Sequence, residues 1–162
     1  MASLAQQIQS PSNCGADLTL QNPMVQQAYN GFLAYDPLYR AGCLTDSDTG
    51  DYCFADAVTN NSSPTSSYVY YLPLGVGLPE GAQPACTECL RDTMQIFAQA
   101  AGNSSMPLGG DYVDAAQQID MSCGSSFVVE AVEQINGAAS GGVPPMGLAL
   151  LTLVVLVVSL VV

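Results

Sequence analysis

Apolar residues recur at helical spacing along much of the chain, separated by stretches rich in Gly, Pro, Ser and Asn. Asn22-Pro23 reads as a cap followed by proline in the first helical turn. Val25, Ala28, Tyr29 and Phe32 then share a face until Asp36-Pro37, where the helix is expected to stop. A second helix is expected from Pro84, with Cys86, Cys89, Leu90, Thr93, Phe97 and Ala100 along one face and Gly102 as its terminator. A third runs from about Asp111 to Cys123, turning Tyr112, Ala115, Ala116 and Ile119 inward. Ser126 caps a fourth, whose stripe is Phe127, Val128, Ala131, Val132 and Ile135. Thr59 to Ser67 reads as a polar loop, and SYVYYLPLGVGLP as an extended segment that Pro73 and Pro79 keep out of a regular sheet. The pattern predicts a mainly α fold: a small helical ectodomain over residues 13–135, with long irregular loops, behind a polar, disordered segment at 1–12.

The last stretch breaks this pattern. From Leu148 to Val162 every residue except Thr152 and Ser159 is apolar. The run Met146 to Val162, about 17 residues, lies at the short limit of what crosses a bilayer as a helix. No Lys or Arg follows it. Upstream stand Asn136-Gly137-Ala138 and a small-residue spacer through 145, the order of a glycosylphosphatidylinositol (GPI) signal. Asn136 gives the better spacer, and Ser140, followed by Gly141 and Gly142, is the rival anchor site. On this reading the hydrophobic tail, 146–162, is removed; a retained tail anchor is the alternative. MASLAQQIQSPSNCG has no basic start and no apolar region, so a secretion signal is expected upstream of it.

Charge narrows the partners. The net charge is -12, Lys and His are absent, and Arg40 and Arg91 are the only fixed cations. A nucleic-acid binder needs a basic surface to displace counterions, and two arginines cannot build one. Without His there is no Ser-His-Asp or Cys-His arrangement, and without Lys no Schiff base.

Six cysteines, Cys14, Cys43, Cys53, Cys86, Cys89 and Cys123, suggest a disulfide framework in an oxidising compartment. ACTECL contains C-x-x-C. A redox site would need a preceding strand, where GLPEGAQPA stands instead, and a zinc site would need a second C-x-x-C or histidines. Two structural bridges leaving one helix start is the remaining reading. An antiparallel hairpin of the second and third helices would set Cys123 beside Cys86 or Cys89. Cys43 and Cys53 flank LTDSDTGDY and are expected to close a local loop, leaving Cys14 for the other member of the C-x-x-C. This is one of several connectivities that six cysteines allow.

Asp48-Thr49-Gly50 matches the aspartic-protease triplet, but it occurs once, in a polar turn without flanking apolar strands. Asp46, Asp48 and Asp51 hint at calcium, yet the positions where an EF-hand needs Gly and Glu hold Asp51 and Ala57. Asp111 with Asp114, and Glu130 with Glu133, are acidic pairs three residues apart, as a solvated helix face often has. No catalytic residue, metal ligand or cofactor is assigned. Asn60, Asn61 and Asn103 each begin an N-x-S triplet in an expected loop and are the candidate glycosylation sites, with Pro64 making Asn61 the poorer acceptor.

The stretch CTECLRDTMQIFAQAAGNSSMPLGGDYVDAAQQIDMSCGSSFV resembles a family of filamentous-fungal, cysteine-rich, GPI-anchored surface proteins known only as a domain of unknown function. The likeness lies in C-x-x-C-L opening a helix, an Asn before a Pro-Leu turn, then Tyr, Ala-Ala and a closing Cys-Gly, and it extends over most of Cys14 to Val129. It implies a surface location and brings no catalytic residues. The leading expectation is a non-enzymatic GPI-anchored glycoprotein of the fungal surface or wall, whose partners are a membrane, reached through lipid, and cell-wall components. Two others stand beside it. One is a binding module for a metal ion or small ligand, using the Asp46–Asp51 turn or a pocket beside Tyr68, Tyr70 and Tyr71. The other is a small wall-modifying hydrolase in which two acids distant in sequence converge.

Overall fold

The computed structural model describes residues 1–130. In that span the chain forms α1 (Ala2–Ile8), α2 (Gly15–Thr19), α3 (Pro23–Gly42), α4 (Cys53–Thr59), α5 (Glu88–Ala101) and α6 (Leu108–Cys123), with a 3-10 helix at Ser66–Leu74 before α5. Strand pairing among the described residues is limited to one antiparallel bridge, Thr45 with Tyr52. The mainly helical, disulfide-stapled class expected from the sequence is the one observed.

The spine is α3. Asn22 caps it, its Oδ1 accepting from the Met24 N–H at 3.1 Å, and Pro23 occupies the first turn. The helix does not stop at Asp36-Pro37, as the sequence suggests, but runs on to Gly42. Pro37 forfeits the bond an N–H would make to the Leu33 carbonyl, a cost of roughly 3 kcal/mol. Packing offsets this: Ala34, Pro37 and Ala41 form a buried stripe, and α3 packs on the 3-10 helix.

That 3-10 helix is the segment expected to be extended. Val69, Tyr70, Leu72 and Pro73 are all buried, a run with no period-2 alternation to favour a half-exposed strand. It ends at Gly75, whose φ of +78° lies in the left-handed region that favours glycine.

Thr87 sets the start of α5, its Oγ1 accepting from the Leu90 N–H at 3.2 Å. The helix therefore begins at Glu88 rather than Pro84, with Cys86 ahead of it and Cys89 in its first turn. Leu90, Met94, Phe97 and Ala101 pack in one core with Leu108, Tyr112, Ala115, Ala116 and Ile119 of α6. The two helices form the antiparallel hairpin expected from the sequence, the end of α6 lying beside the start of α5.

The expected fourth helix does not begin at Ser126. Ser126 has φ +67°, and the Asp120 carboxylate captures the backbone instead: Oδ2 accepts from the Ser126 N–H at 2.8 Å and Oδ1 from the Val128 N–H at 2.9 Å. The Tyr112 hydroxyl bonds the carbonyls of Val129 at 2.6 Å and Met94 at 3.2 Å. Residues 124–130 are thereby tied back onto the hairpin, and the remainder of that expected helix lies outside the described residues. At the other end, residues 2–8 are helical rather than disordered. Ala5 is buried, α1 packs on α3, and Gln9 donates to the Tyr29 hydroxyl at 2.9 Å.

Candidate functional site

Two bridges close the domain: Cys53 with Cys89, and Cys86 with Cys123. The second is one of the two partners anticipated for Cys123. The expected Cys43–Cys53 bridge is replaced, and the hairpin register explains why. Thr45 pairs with Tyr52, and the Cys53 N–H donates to the Leu44 carbonyl at 2.9 Å. Leu44 is thus the residue opposite Cys53, and Cys43 falls on the other face. Cys53 opens α4, is buried and meets Cys89. Cys14 and Cys43 are free thiols. Cys14 precedes α2 near the Tyr29 end of α3 and Cys43 caps its far end. At 1.5 Å per residue, that helix separates them by about 20 Å, beyond the reach of a bridge.

Side-chain hydrogen bonds hold the loop that delivers Cys86 and Cys89. Thr65 Oγ1 accepts from the Gln83 N–H at 3.0 Å, Ser66 Oγ accepts from the Ala85 N–H at 3.0 Å, and Ser63 Oγ bonds the Gln83 carbonyl. Gln118 Nε2, reaching from α6, donates to the carbonyls of Pro79 at 2.8 Å and Ala82 at 3.1 Å.

A cavity of about 60 Å³ lies against the buried bridge, bordered by Asp46, Asp56, Tyr70 and Thr93. Carboxylate oxygens of Asp46 and Asp56 and the sulfur of Cys89 lie within 4.8 Å of one another. The Cys89 sulfur, 3.7 Å from Asp46 Oδ2, is part of a disulfide, so it has no proton to donate and is no thiolate ligand. Asp46 Oδ1 already accepts from the N–H groups of Asp48 at 2.8 Å and Thr49 at 3.1 Å, closing the turn. The Asp46, Asp48 and Asp51 trio considered for calcium is therefore not the group brought together; Asp56, from α4, is the second acid. Tyr70 sits above them, its hydroxyl 3.3 Å from Thr93 Oγ1. Burial pushes this phenol up from its ordinary 10.0, the Thr93 hydrogen bond pulls it partly back, and the Asp56 charge adds to the rise. The space has room for no more than a few waters; ligand pockets run to roughly 300–1,000 Å³.

On the other side of Tyr70 the surface opens into a depression of about 400 Å³ lined by Leu38, Phe54, Val58, Tyr71 and Leu74. A second, of about 350 Å³, lies beyond Tyr71, between Tyr68, Val76, Gly77 and Pro79. The tyrosines singled out in the sequence thus divide: Tyr70 is buried, while Tyr68 and Tyr71 are exposed. Phe54 and Val58 escaped sequence reading because α4 is a single short helix; their four-residue spacing in CFADAVT was the one signal of it.

Asn103 is exposed and its Oδ1 accepts from the Ser105 N–H at 3.1 Å and hydroxyl at 2.7 Å. Asn60 is half-buried, its Oδ1 accepting from the N–H groups of Ser62 and Ser63, each at 3.0 Å; Asn61 is exposed. In both turns the hydrogen bonds use the oxygen and leave to a glycan the nitrogen it needs. Asp114 is exposed and Asp111 stands beside Gly77; Glu130 is exposed. Glu133, Asn136, Ser140 and the hydrophobic tail lie outside the described residues. Among those described, no helix is long and apolar enough to cross a membrane.

The family described as a domain of unknown function, DUF7729, matches residues 1–132. No curated protein and no solved structure matches the chain.

Proposed function

We propose a role for a chain that belongs to the DUF7729 family: a non-enzymatic glycoprotein held by a GPI anchor on the outer face of a fungal plasma membrane or in the wall, where it acts as a structural or interaction module. The observation that carries the reading is the pair of interlocked disulfides, separated by 36 and 37 residues, that staple a domain with long loops. Such bridges persist in oxidising compartments and are reduced in the cytosol. Three features support the outer surface in particular: the acidic, lysine-free composition, the Asx turns at Asn60 and Asn103, and the small-residue spacer and apolar run after Asn136. The cavity beside Asp46 and Asp56 is too small for a sugar, which speaks against the hydrolase reading.

The test is expression in a fungal host behind a working secretion signal, followed by treatment of membranes with phosphatidylinositol-specific phospholipase C. Release into the aqueous phase is expected. Retention, with the chain still partitioning into detergent, contradicts the anchor.

A further inference from the structure

We infer that two copies of this chain join through a Cys43–Cys43 disulfide on a two-fold axis, with the apolar surface beside Cys43 as their interface. Four of the six cysteines are bridged, so the chain matures where thiols are oxidised. Cys43 is exposed at the end of α3, and the length of that helix keeps Cys14 out of its reach. Its partner thiol must come from another molecule, as expected of an exposed cysteine left over from an oxidised framework.

The thiol does not stand alone. Tyr35, Tyr39 and Cys43 follow at four-residue steps and form one ridge along α3. The two rings stack with centroids 6.0 Å apart and are 47 % and 60 % exposed, so the ridge is left uncovered by the rest of the described chain. Leu38 and Gly42 make the adjacent row on the helix, and they line the depression of about 400 Å³ whose other walls include Phe54, Val58 and Tyr71. An exposed aromatic ridge and an apolar depression therefore lie in neighbouring rows of one helix, beside one free thiol.

That arrangement favours a second copy. In an isologous pair the same patch serves both subunits, each feature meeting its complement on the other. A two-fold axis at Cys43 sets each ridge toward the depression of the other copy. A polysaccharide or an apolar peptide would fill the depression and leave the thiol unpaired. Charge agrees with the pairing. Around α3, Cys43 stands between the apolar rows and Arg40. Among the described residues the Arg40 guanidinium meets no carboxylate and bonds only Gln99 Oε1, at 3.2 Å, in a chain of net charge -12. Just past Cys43 comes the Asp46–Asp51 turn, where Asp48 and Asp51 are exposed. The axis brings Arg40 of one copy toward that turn of the other, a pairing that a single copy does not make. No acid lines the depression, and charges farther apart than about 8 Å are largely screened at physiological ionic strength. Once the bond forms, the remaining contacts are intramolecular, so a small interface is enough.

The oxidant is a small-molecule disulfide, such as oxidised glutathione. The Cys43 thiolate of one copy attacks it, forming a mixed disulfide and releasing one glutathione thiolate. The Cys43 thiolate of the second copy then attacks the Cys43 sulfur, the mixed S–S bond breaks, and the second glutathione leaves. Two Cys43 thiols are oxidised, one glutathione disulfide is reduced, and the two protons pass to the glutathione thiolates.

The experiment starts from the full chain, purified in detergent as a monomer with both intrachain bridges verified by mass. It is incubated with reduced and oxidised glutathione, quenched with acid and read by intact mass. A disulfide-linked dimer is expected; Cys43→Ala abolishes it and Cys14→Ala leaves it. Tyr39→Ala and Val58→Glu, both at exposed positions, each lower the equilibrium constant for dimer against glutathione about tenfold or more, as loss of an interface anchor does. Cys43→Ala combined with Leu20→Cys, which moves the thiol to another exposed position, gives a constant lower by about tenfold or more, because no matching surface raises the effective concentration. A Cys43 that stays a thiol or stops at the glutathione adduct overturns the proposal, as does a dimer that Cys14→Ala removes. Constants unchanged by Tyr39→Ala and Val58→Glu, or matched by the Leu20→Cys control, also overturn it. The inference takes from the proposed function only the oxidising compartment, and none of these outcomes bears on the anchor, which phospholipase release tests separately.

Discussion

Removing a bridge should cost this domain a large part of its stability, and removing the two free cysteines should not. Cys53–Cys89 and Cys86–Cys123 close loops of 36 and 37 residues. The chain-entropy relation gives about 4 kcal/mol for a loop of that length. A domain of this size holds roughly 5–15 kcal/mol in total. The loops overlap between Cys86 and Cys89, so the second closure acts on a chain the first has already restricted, and loss of both bridges costs less than the sum. Cys53→Ala with Cys89→Ala should cost more than the other pair, because those sulfurs are buried and leave a cavity. Cys86 is exposed and Cys123 half-buried, so mild reductant should open their bridge first. Urea unfolding of the three paired variants gives the comparison, with a higher m expected where a crosslink is lost and the unfolded chain expands. Cys14→Ala with Cys43→Ala should change stability by less than about 1 kcal/mol. A loss from that pair as large as from the bridge variants would show that Cys14 and Cys43 are themselves bridged, and the reasoning from hairpin register and helix length would be refuted.

Single contacts give three smaller predictions. Asp120→Ala removes two charge-assisted hydrogen bonds worth roughly 1.5–3 kcal/mol each, and should expose the Ser126 and Val128 amides to hydrogen exchange while α6 stays protected; continued protection of both amides contradicts it. Gly75→Ala and Gly81→Ala both force a residue with φ +78° into the left-handed region, about 1–2 kcal/mol. Only at Gly75 does the new Cβ meet Pro107, at 2.9 Å, so it should be the costlier by thermal unfolding. Burial raises the Tyr112 phenol well above 10.0, the Asp120 charge adding to it, and Tyr70 moves the same way. With folded-state values above the unfolded one, stability is complete below pH about 10 and falls as pH rises past it; Tyr112→Phe should flatten that fall in urea midpoints measured from about pH 8 to 11.

How far the sequence carries depends on what each element rests on. The face of α6 was legible because Tyr112, Ala115, Ala116 and Ile119 are all buried at helical spacing and glycine ends the helix. The Asn22-Pro23 start of α3 was legible because a cap is local chemistry. Its end was not, since continuation through Pro37 depends on packing against the distant 3-10 helix. The Tyr-rich segment misled for the same reason: tertiary burial on several sides chose a 3-10 helix over an extended strand. One bridge to Cys123 followed from hairpin geometry, but the partner of Cys53 depended on α4, a helix too short to announce itself. The meeting of Asp46 with Asp56, and the wall that Phe54 and Val58 give to the depression beside Tyr70, inherit that blind spot.

The most direct test of the surface-protein account is the C-terminal peptide of the mature chain, recovered from the host cell surface and read by mass spectrometry. The account predicts a peptide ending at Asn136, or at Ser140, and carrying phosphoethanolamine from the anchor. A peptide extending unmodified through Val162 would contradict it: the apolar run would then be a retained membrane segment, and the placement of the domain would have to be argued anew.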